Sequence, residues 1–295
     1  MVSIRERLLR PQRYALVAIR ARYAATAMSA ETVSSPALRL VHATKYLTPF
    51  REGGSLPGLV EADDLGLYVV KFHGAAQGPR ALVAEVIAGE VGRALGLNVP
   101  ELVLVEVDPA LAGVEPDPWV GELLGRSPGV NLGLDYLPGS MTFDPRADAT
   151  PDPDVAASIV WFDALVTNTD RSPRNPNLLS WHHRLWLIDH GASLFIHHTW
   201  RDPDAHARRP LDTIAQHVLL PYAAPLAGAH DRLAPLVTEP LLRSIVSLVP
   251  DAWLPLTATL GGPDAQREAY VRYLLHRVAA RDALVTAIED VRCAA

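Results

Sequence analysis

The chain has 295 residues, a formal net charge of −6, 49% hydrophobic and 20% charged residues, so it is long enough to bury the core of one large domain or two modest ones. Its acidic balance argues against a nucleic-acid partner, which needs a concentrated basic face. One cysteine, Cys293, cannot staple a fold, and no apolar run reaches the ~18 residues of a membrane span; the chain reads as a soluble cytoplasmic protein.

In chain order, the first 28 residues carry Arg5, Arg7, Arg10, Arg13, Arg20 and Arg22 against one acid, Glu6. Transit peptides are Arg-rich and acid-poor, but the segment reads better as a solvated basic helix, or as a leader upstream of an initiator at Met28. From Leu38 the texture becomes β-rich: "ALRLVHATKYL", "SLPGLVEAD" and "GLYVVKF" are predicted as three antiparallel strands, the first two joined through Gly53, Gly54 and Gly58. "GPRALVAEVIAGEVGRALGLNVP" is predicted as a helix, with apolar residues at helical spacing and a stop at Gly96 and Pro100. "ELVLVEVD" and "GVNLGLDYLPGS" are two further strands.

A Pro/Asp loop after residue 138 leads into a helix, "VAASIVWFDALVTN", with Asp154 as the expected N-cap. Two short strands follow, "NLLSW" and "RLWLID", turning at His182-His183. Everything after Leu211 reads as helical, including "LDTIAQHVLLPYA" and "DAQREAYVRYLLHRVAARDALVTAIEDVR". Strands first and helices afterwards indicate an α+β protein in two lobes. The expected division is an N-terminal extension 1–36, a β-rich nucleotide-binding lobe 37–137 and a helical lobe 138–295, with a small-molecule site in the cleft between the lobes.

Of 27 basic residues only Lys45 and Lys71 are lysines. Lys71 lies in an alternating run, where an unpaired ammonium is costly to bury, so it either points to water from an edge strand or serves a compact anion such as phosphate. Asp170, Asn175 and Asp189 sit beside strand-like segments in "LVTNTDRSPRNPNLLSWHHRLWLIDHGASLF". A pair of turns accounts for them; so does a site for Mg²⁺ and phosphates, because Mg²⁺ prefers hard oxygen ligands and phosphoryl transfer needs a residue to position the attacking hydroxyl. The adjacent pairs His182-His183 and His197-His198 have poor geometry for joint metal ligation, and neither a zinc-hydrolase motif nor a G-x-S-x-G elbow occurs. Asn177 reads as a turn residue, and Asp163 as a satisfied polar group or a partner of the following loop. His190 is the histidine placed to touch a metal.

The ordered set has a family likeness. "TDRSPRN" followed after a hairpin by "LIDHG" resembles the catalytic and metal-binding loops of phosphoinositide lipid kinases and of HipA-like kinases. "EGGS", "VVKF" and the helix ending "LGLNVP" continue that resemblance upstream, so that it covers about residues 45 to 220. It implies a two-lobed, protein-kinase-like fold and an ATP- and Mg²⁺-dependent phosphotransferase moving the γ-phosphoryl group to a hydroxyl acceptor, serine or threonine of a protein or a small molecule. In that picture Asp170 orients the acceptor, Asn175 and Asp189 hold Mg²⁺, and Lys71 contacts the phosphates while paired with Glu85. Gly53, Gly54 and Ser55 let backbone N–H groups approach the phosphates, and backbone groups of Asp135, Tyr136 and Leu137 meet adenine. The loop "EGGSLPG" departs from a G-x-G-x-x-G pattern, and His190 stands where many kinases carry an aromatic residue. The alternative is a catalytically weak nucleotide-binding module acting as a regulatory or toxin-antitoxin-like partner.

Overall fold

A computed structural model of the protein describes residues 37–50, 56–114 and 117–294. The basic segment 1–36 and the loop residues Gly53, Gly54 and Ser55 lie outside them.

Strands β1 (Arg39–Pro49), β2 (Gly58–Ala62) and β3 (Leu67–Lys71) are consecutive antiparallel neighbours, as their alternation predicts. With β4 (Leu102–Val107) and β5 (Gly129–Asp135) they form one sheet in the order β1-β2-β3-β5-β4. Parallel pairing of β1 with β4, from Arg39 opposite Val103 to His42 opposite Glu106, closes it into a barrel and removes its free edges. The pleat sends Val41, Val60, Val70, Val103 and Val105 inward. The interior is narrow: a Cβ on Gly133 would lie 2.7 Å from Val105 Cγ2. Helices α2 (Ala110–Val114) and α3 (Pro118–Gly125) connect β4 to β5, and Val120, Leu123 and Leu124 of α3 join the barrel's core.

The outer face of β4 and β5 presents Leu102, Leu132 and Leu134 to helix α1 (Gly78–Ala94). Every residue from Leu82 to Gly92 is buried, so α1 is enclosed rather than amphipathic in the ordinary sense. Its other sides meet helix α4 (Pro153–Val166), helix α7 (Glu239–Val246) and Trp253, in one core continuous with the helical part of the chain. Gly92 permits the approach, with Phe162 and Val99 each 3.2 Å from where its Cβ would stand. The molecule therefore has a small core inside the barrel and a large one outside it, and their boundary does not follow the chain's division near residue 138.

Helix α4 is the centre of the large core: Ala156, Ala157, Val160, Trp161, Phe162 and Leu165 are fully buried. Its N-cap is Asp152, whose carboxylate accepts from the N–H groups of Asp154 and Val155. Asp154, the residue expected to cap, sits inside the first turn, because Pro153 takes the first helical position, where a missing N–H costs nothing. The helix ends at Thr167 in the left-handed conformation, and the chain turns sharply out of it.

The two expected short strands are β7 (Leu178–Trp181) and β8 (Arg184–Leu187), and a third, β6 (Met141–Thr142), adds to β7's other side. His182 and His183 both have positive φ, 48° and 59°, the backbone of a two-residue hairpin turn matched to strand twist. Downstream lie α5 (Pro203–Ala207), α6 (Leu226–Leu233), α7, α8 (Pro263–Ala279) and α9 (Ala287–Ala294). Three segments expected as helical are broken, among them residues 233–250, which divide into a 3-10 turn at Ala234–Leu236 and α7. Residues 211–223 form separate 3-10 turns at Ile214–Gln216 and Leu220–Tyr222, the second containing Pro221, which cannot continue an i→i−4 ladder. The C-terminal stretch leaves α8 after Ala279 and passes a π-turn, Asp282–Thr286, that buries Ala283, Leu284 and Val285. Among the described residues no helix is long and apolar enough to cross a membrane.

Candidate active site

Lys71 ends β3, the strand that pairs with β5, and its side chain points out of the barrel toward α1. Its Nζ donates to Glu85 Oε2 and to Asp189 Oδ1, both at 2.7 Å. Burial disfavours the ammonium, but the two carboxylates outweigh that and hold its pKa above the ordinary lysine value. Glu85 is fully buried. Desolvation pushes its pKa up, the Lys71 ammonium and the His190 ring pull it down, and the net direction is downward. A buried charge with two bonded counter-charges is stable where a lone one is not. The alternative of an edge lysine facing water is set aside.

Asp189 follows β8 with φ 56°, an uncommon conformation for a residue bearing a Cβ. That turn brings Oδ1 onto Lys71, while 41% of the side chain stays exposed. His190 departs from the role expected of it. It is fully buried, its ring edge-on to Phe162 at 5.8 Å and its Nδ1 3.5 Å from Glu85 Oε1, so it supports the glutamate rather than facing an exposed ligand. Glu90, the other acid on α1, is also buried and lies 3.4 Å from Arg93.

Asp170 and Asn175 share the loop that leaves α4. Asn175 Nδ2 donates to Asp170 Oδ2 at 2.9 Å, and reciprocal backbone bonds between Ser172 and Asn175 close the loop. Beneath it lies Asp163, fully buried on α4. Its Oδ1 accepts from Asn168 Nδ2 at 2.9 Å; its Oδ2 accepts from Arg171 Nε at 2.5 Å and lies 3.0 Å from His217 Nε2. Desolvation opposes the Asp163 carboxylate, but Arg171 and His217 overcome it and hold its pKa well below the usual range. Asn168 Oδ1 in turn accepts the Asp170 N–H at 3.1 Å, so the start of the loop is bonded back to the core helix.

Asn177 couples the two halves. Its Nδ2 donates to the Asp170 carbonyl at 2.7 Å, and its own carbonyl accepts from Arg171 and, at 3.1 Å, from the N–H of Ile188, the residue before Asp189. A shift of one aspartate's backbone is therefore transmitted to the other. In the sequence Asn177 has the look of a turn residue, and the one local signal for these buried partners is an arginine directly after Asp170 in a loop flanked by apolar runs; His217 has none.

Asp135 ends β5 and Tyr136 and Leu137 follow it, at the far end of the strand pair that holds Lys71, where Tyr68 lies opposite Asp135. The N–H groups of Asp135 and Tyr136 are bonded to the carbonyls of Glu101 and Leu67, at 2.8 and 3.0 Å. Burial, then the nearby Glu101, raises the Asp135 pKa. The separation from Lys71, three residues of strand, is roughly 10 Å.

Each of the two groups offers an oxygen that suits a hard cation: the half-exposed Asp189 carboxylate, and the amide oxygen of Asn175, whose nitrogen is the atom bonded to Asp170. Among the described residues no group of three His, Cys, Asp or Glu side chains is gathered for a metal. Mg²⁺ does not need one, since it binds through one or two protein oxygens with substrate phosphates and water completing its shell.

Residues 44–283 match the model of a family described as HipA-like kinase. Among solved structures the chain is similar to that of the Helicobacter pylori proinflammatory kinase CtkA, with 14% sequence identity and a TM-score of 0.49, covering 88% of this chain and 99% of that one. No curated protein sequence matches it.

Proposed function

Because the chain belongs to the HipA-like kinase family, it is a phosphotransferase, and we propose that it moves the γ-phosphoryl group of ATP to a hydroxyl acceptor, serine or threonine of a protein. The observation that carries this reading is the buried Lys71 ammonium held between Glu85 and Asp189 at 2.7 Å each. Few structural needs call for a buried lysine held by two carboxylates, one of them 41% exposed. A triphosphate arriving there meets a cation whose orientation is already set, so no reorganisation is required as charge shifts during transfer.

The roles follow from the bonding. Lys71 takes the non-transferred phosphates, and Glu85 keeps it in place. Oδ2 of Asp170 is occupied by Asn175, which leaves Oδ1 for the acceptor's proton. The acceptor oxygen bonds to the γ-phosphorus as the bond to the β–γ bridging oxygen breaks; ADP leaves, and the hydroxyl proton passes to Asp170 or to the departing phosphates. Asn175 Oδ1 and Asp189 would hold Mg²⁺, which when bound neutralises phosphate charge. The segment Asp135 to Leu137 lies within a nucleotide's reach of Lys71 and takes the base.

The test is transfer of label from γ-labelled ATP, to the chain itself and to a general protein acceptor, by wild type, Asp170→Ala, Asp189→Asn and Lys71→Met. Each substitution is expected to lower the rate by ~10²-fold or more, the scale of losing an electrostatic or acid–base group. Equal rates in all four proteins reject the reading, and transfer of α-label instead would make the reaction nucleotidyl transfer.

A further inference from the structure

Arg277, on α8, is a fully buried charge that the phosphoryl chemistry does not use. Its guanidinium is satisfied by backbone carbonyls: Nη1 donates to those of Ala207 at 2.9 Å and Arg209 at 2.5 Å, and Nη2 to that of Ala164 on α4. Beside it the His206 ring lies 2.9 Å from the Tyr273 hydroxyl. Further along, Leu211, Thr213 and Gln216 line one shallow cleft with Thr169 and Ser172, and the Val218 N–H donates to the Arg171 carbonyl at 3.0 Å. Residues 207–218 are therefore fastened alongside residues 164–172, the stretch that delivers Asp170. Two residues of chain, at most ~7 Å, separate Arg209 from the cleft residue Leu211.

The charges on these two stretches are the second observation. Arg208 and Arg209 are exposed, and so is Arg174 on the Asp170 loop, next to the Asn175 that is bonded to Asp170. None of the three makes an ion pair with a carboxylate among the described residues. The exposed Arg39, Arg126, Arg146, Arg232 and Arg243, elsewhere on the molecule, each do. The one acid between Arg208 and Gln216 is Asp212. In a chain of net charge −6, the two stretches that meet at Asp170 thus carry a local surplus of exposed positive charge.

We propose that the acceptor is an acidic peptide segment, whose carboxylates beside the receiving serine or threonine are recognised by Arg174, Arg208 and Arg209. The proposal rests on the kinase reading of Asp170 and names the substrate class of that site. An extended peptide advances about 3.3 Å per residue, so with its hydroxyl at Asp170 the side chains a few positions away come within reach of both stretches. Guanidinium groups suit this task, since their planar fork meets a carboxylate with two parallel hydrogen bonds. The backbone under Arg208 and Arg209 is already fixed by Arg277, so binding costs little ordering of the chain.

The experiment measures binding of three fluorescent serine peptides of equal length, with acidic, neutral or basic flanks, to the full chain by anisotropy, together with label transfer from γ-labelled ATP. The proteins are wild type, Arg174→Glu and the double variant Arg208→Glu/Arg209→Glu. Wild type is expected to bind the acidic peptide about tenfold more tightly than the neutral one, the scale of two or three exposed ion pairs acting together, with the difference shrinking as salt rises. The double variant should lose that preference and bind the basic peptide more tightly than wild type does, a gain that misfolding does not produce. Arg174→Glu should move the ranking the same way. Equal binding of the acidic and neutral peptides by wild type, the wild-type ranking kept in both variants, or binding of anionic lipid vesicles with no preference among the peptides overturns the proposal. Label transfer to all three peptides with equal efficiency overturns it too, while leaving the kinase reading in place. The expected binding order with no label reaching any peptide faults the kinase reading and leaves an acidic-peptide site.

Discussion

Asp163 illustrates how one buried side chain governs a loop it does not belong to. Its carboxylate is charged at neutral pH because Arg171 and His217 compensate the desolvation. Asp163→Ala leaves the Arg171 guanidinium buried without its counter-charge, and is expected to destabilise the protein by roughly 3–5 kcal/mol in urea unfolding, with loss of transfer activity as Asp170 loses its anchor. A variant within ~0.5 kcal/mol of wild type contradicts the account. His197 makes a separate, pH-dependent contribution. Burial, then His198 and Arg80, hold its pKa down at about 3, whereas the unfolded chain protonates a histidine below about 6.5. Between those values the unfolded state binds the extra proton, so stability falls as pH falls. The slope is about 1.4 kcal/mol per pH unit for this group. His197→Phe should flatten the pH dependence between pH 6 and 4 by that amount, whatever it does to stability itself; an unchanged slope would show that His197 does not titrate this way.

At the scale of elements, most strands and the two long buried helices were legible from local pattern. Alternation marked β2 and β3, and apolar spacing with Gly96 and Pro100 marked the extent of α1. The misjudged features are those where proline chemistry or packing overrode the pattern: the cap of α4, the broken turns around Pro221 and the π-turn after α8. The cap is testable. Asp152→Ala removes the acceptor of two N–H groups and should cost about 1 kcal/mol, while Asp154→Ala, an exposed first-turn change, should stay within ~0.5 kcal/mol. Paired chemical-denaturation curves decide it, and the reverse ranking would return the cap to Asp154. The candidate site was legible to a similar degree. Asp170, Asn175 and Asp189 stand out by residue type and order, Lys71 by its place in a strand and Glu85 through the family resemblance, and the fold bonds them in two groups. Arg171, Asn177 and His217 were missed because their work is done through buried hydrogen bonds, which leave no periodic trace in a sequence.

At the scale of the molecule, α1 belongs to the large core although it is threaded between strands of the barrel. Trp253, far along the chain, reinforces this by donating from Nε1 to the Val130 carbonyl on β5 at 3.2 Å. The barrel cannot lose its outer face without exposing the core that holds α4, so the described parts should unfold in a single cooperative transition. Calorimetry showing one transition, with van't Hoff and calorimetric enthalpies equal, is the expected result; two resolved transitions would show that the barrel's own core suffices. What the amino-acid order determined alone was the succession of elements and the kinds of groups available for chemistry, since strand alternation, helix spacing and turn residues act over a few neighbours. Folding in three dimensions decided which groups meet. Lys71 reaches Asp189 across 118 positions of chain, and Arg277 ties the carbonyl of Ala164 to that of Arg209. Such meetings depend on how helices and sheet pack to exclude water, a property of the whole core that no short window of sequence contains.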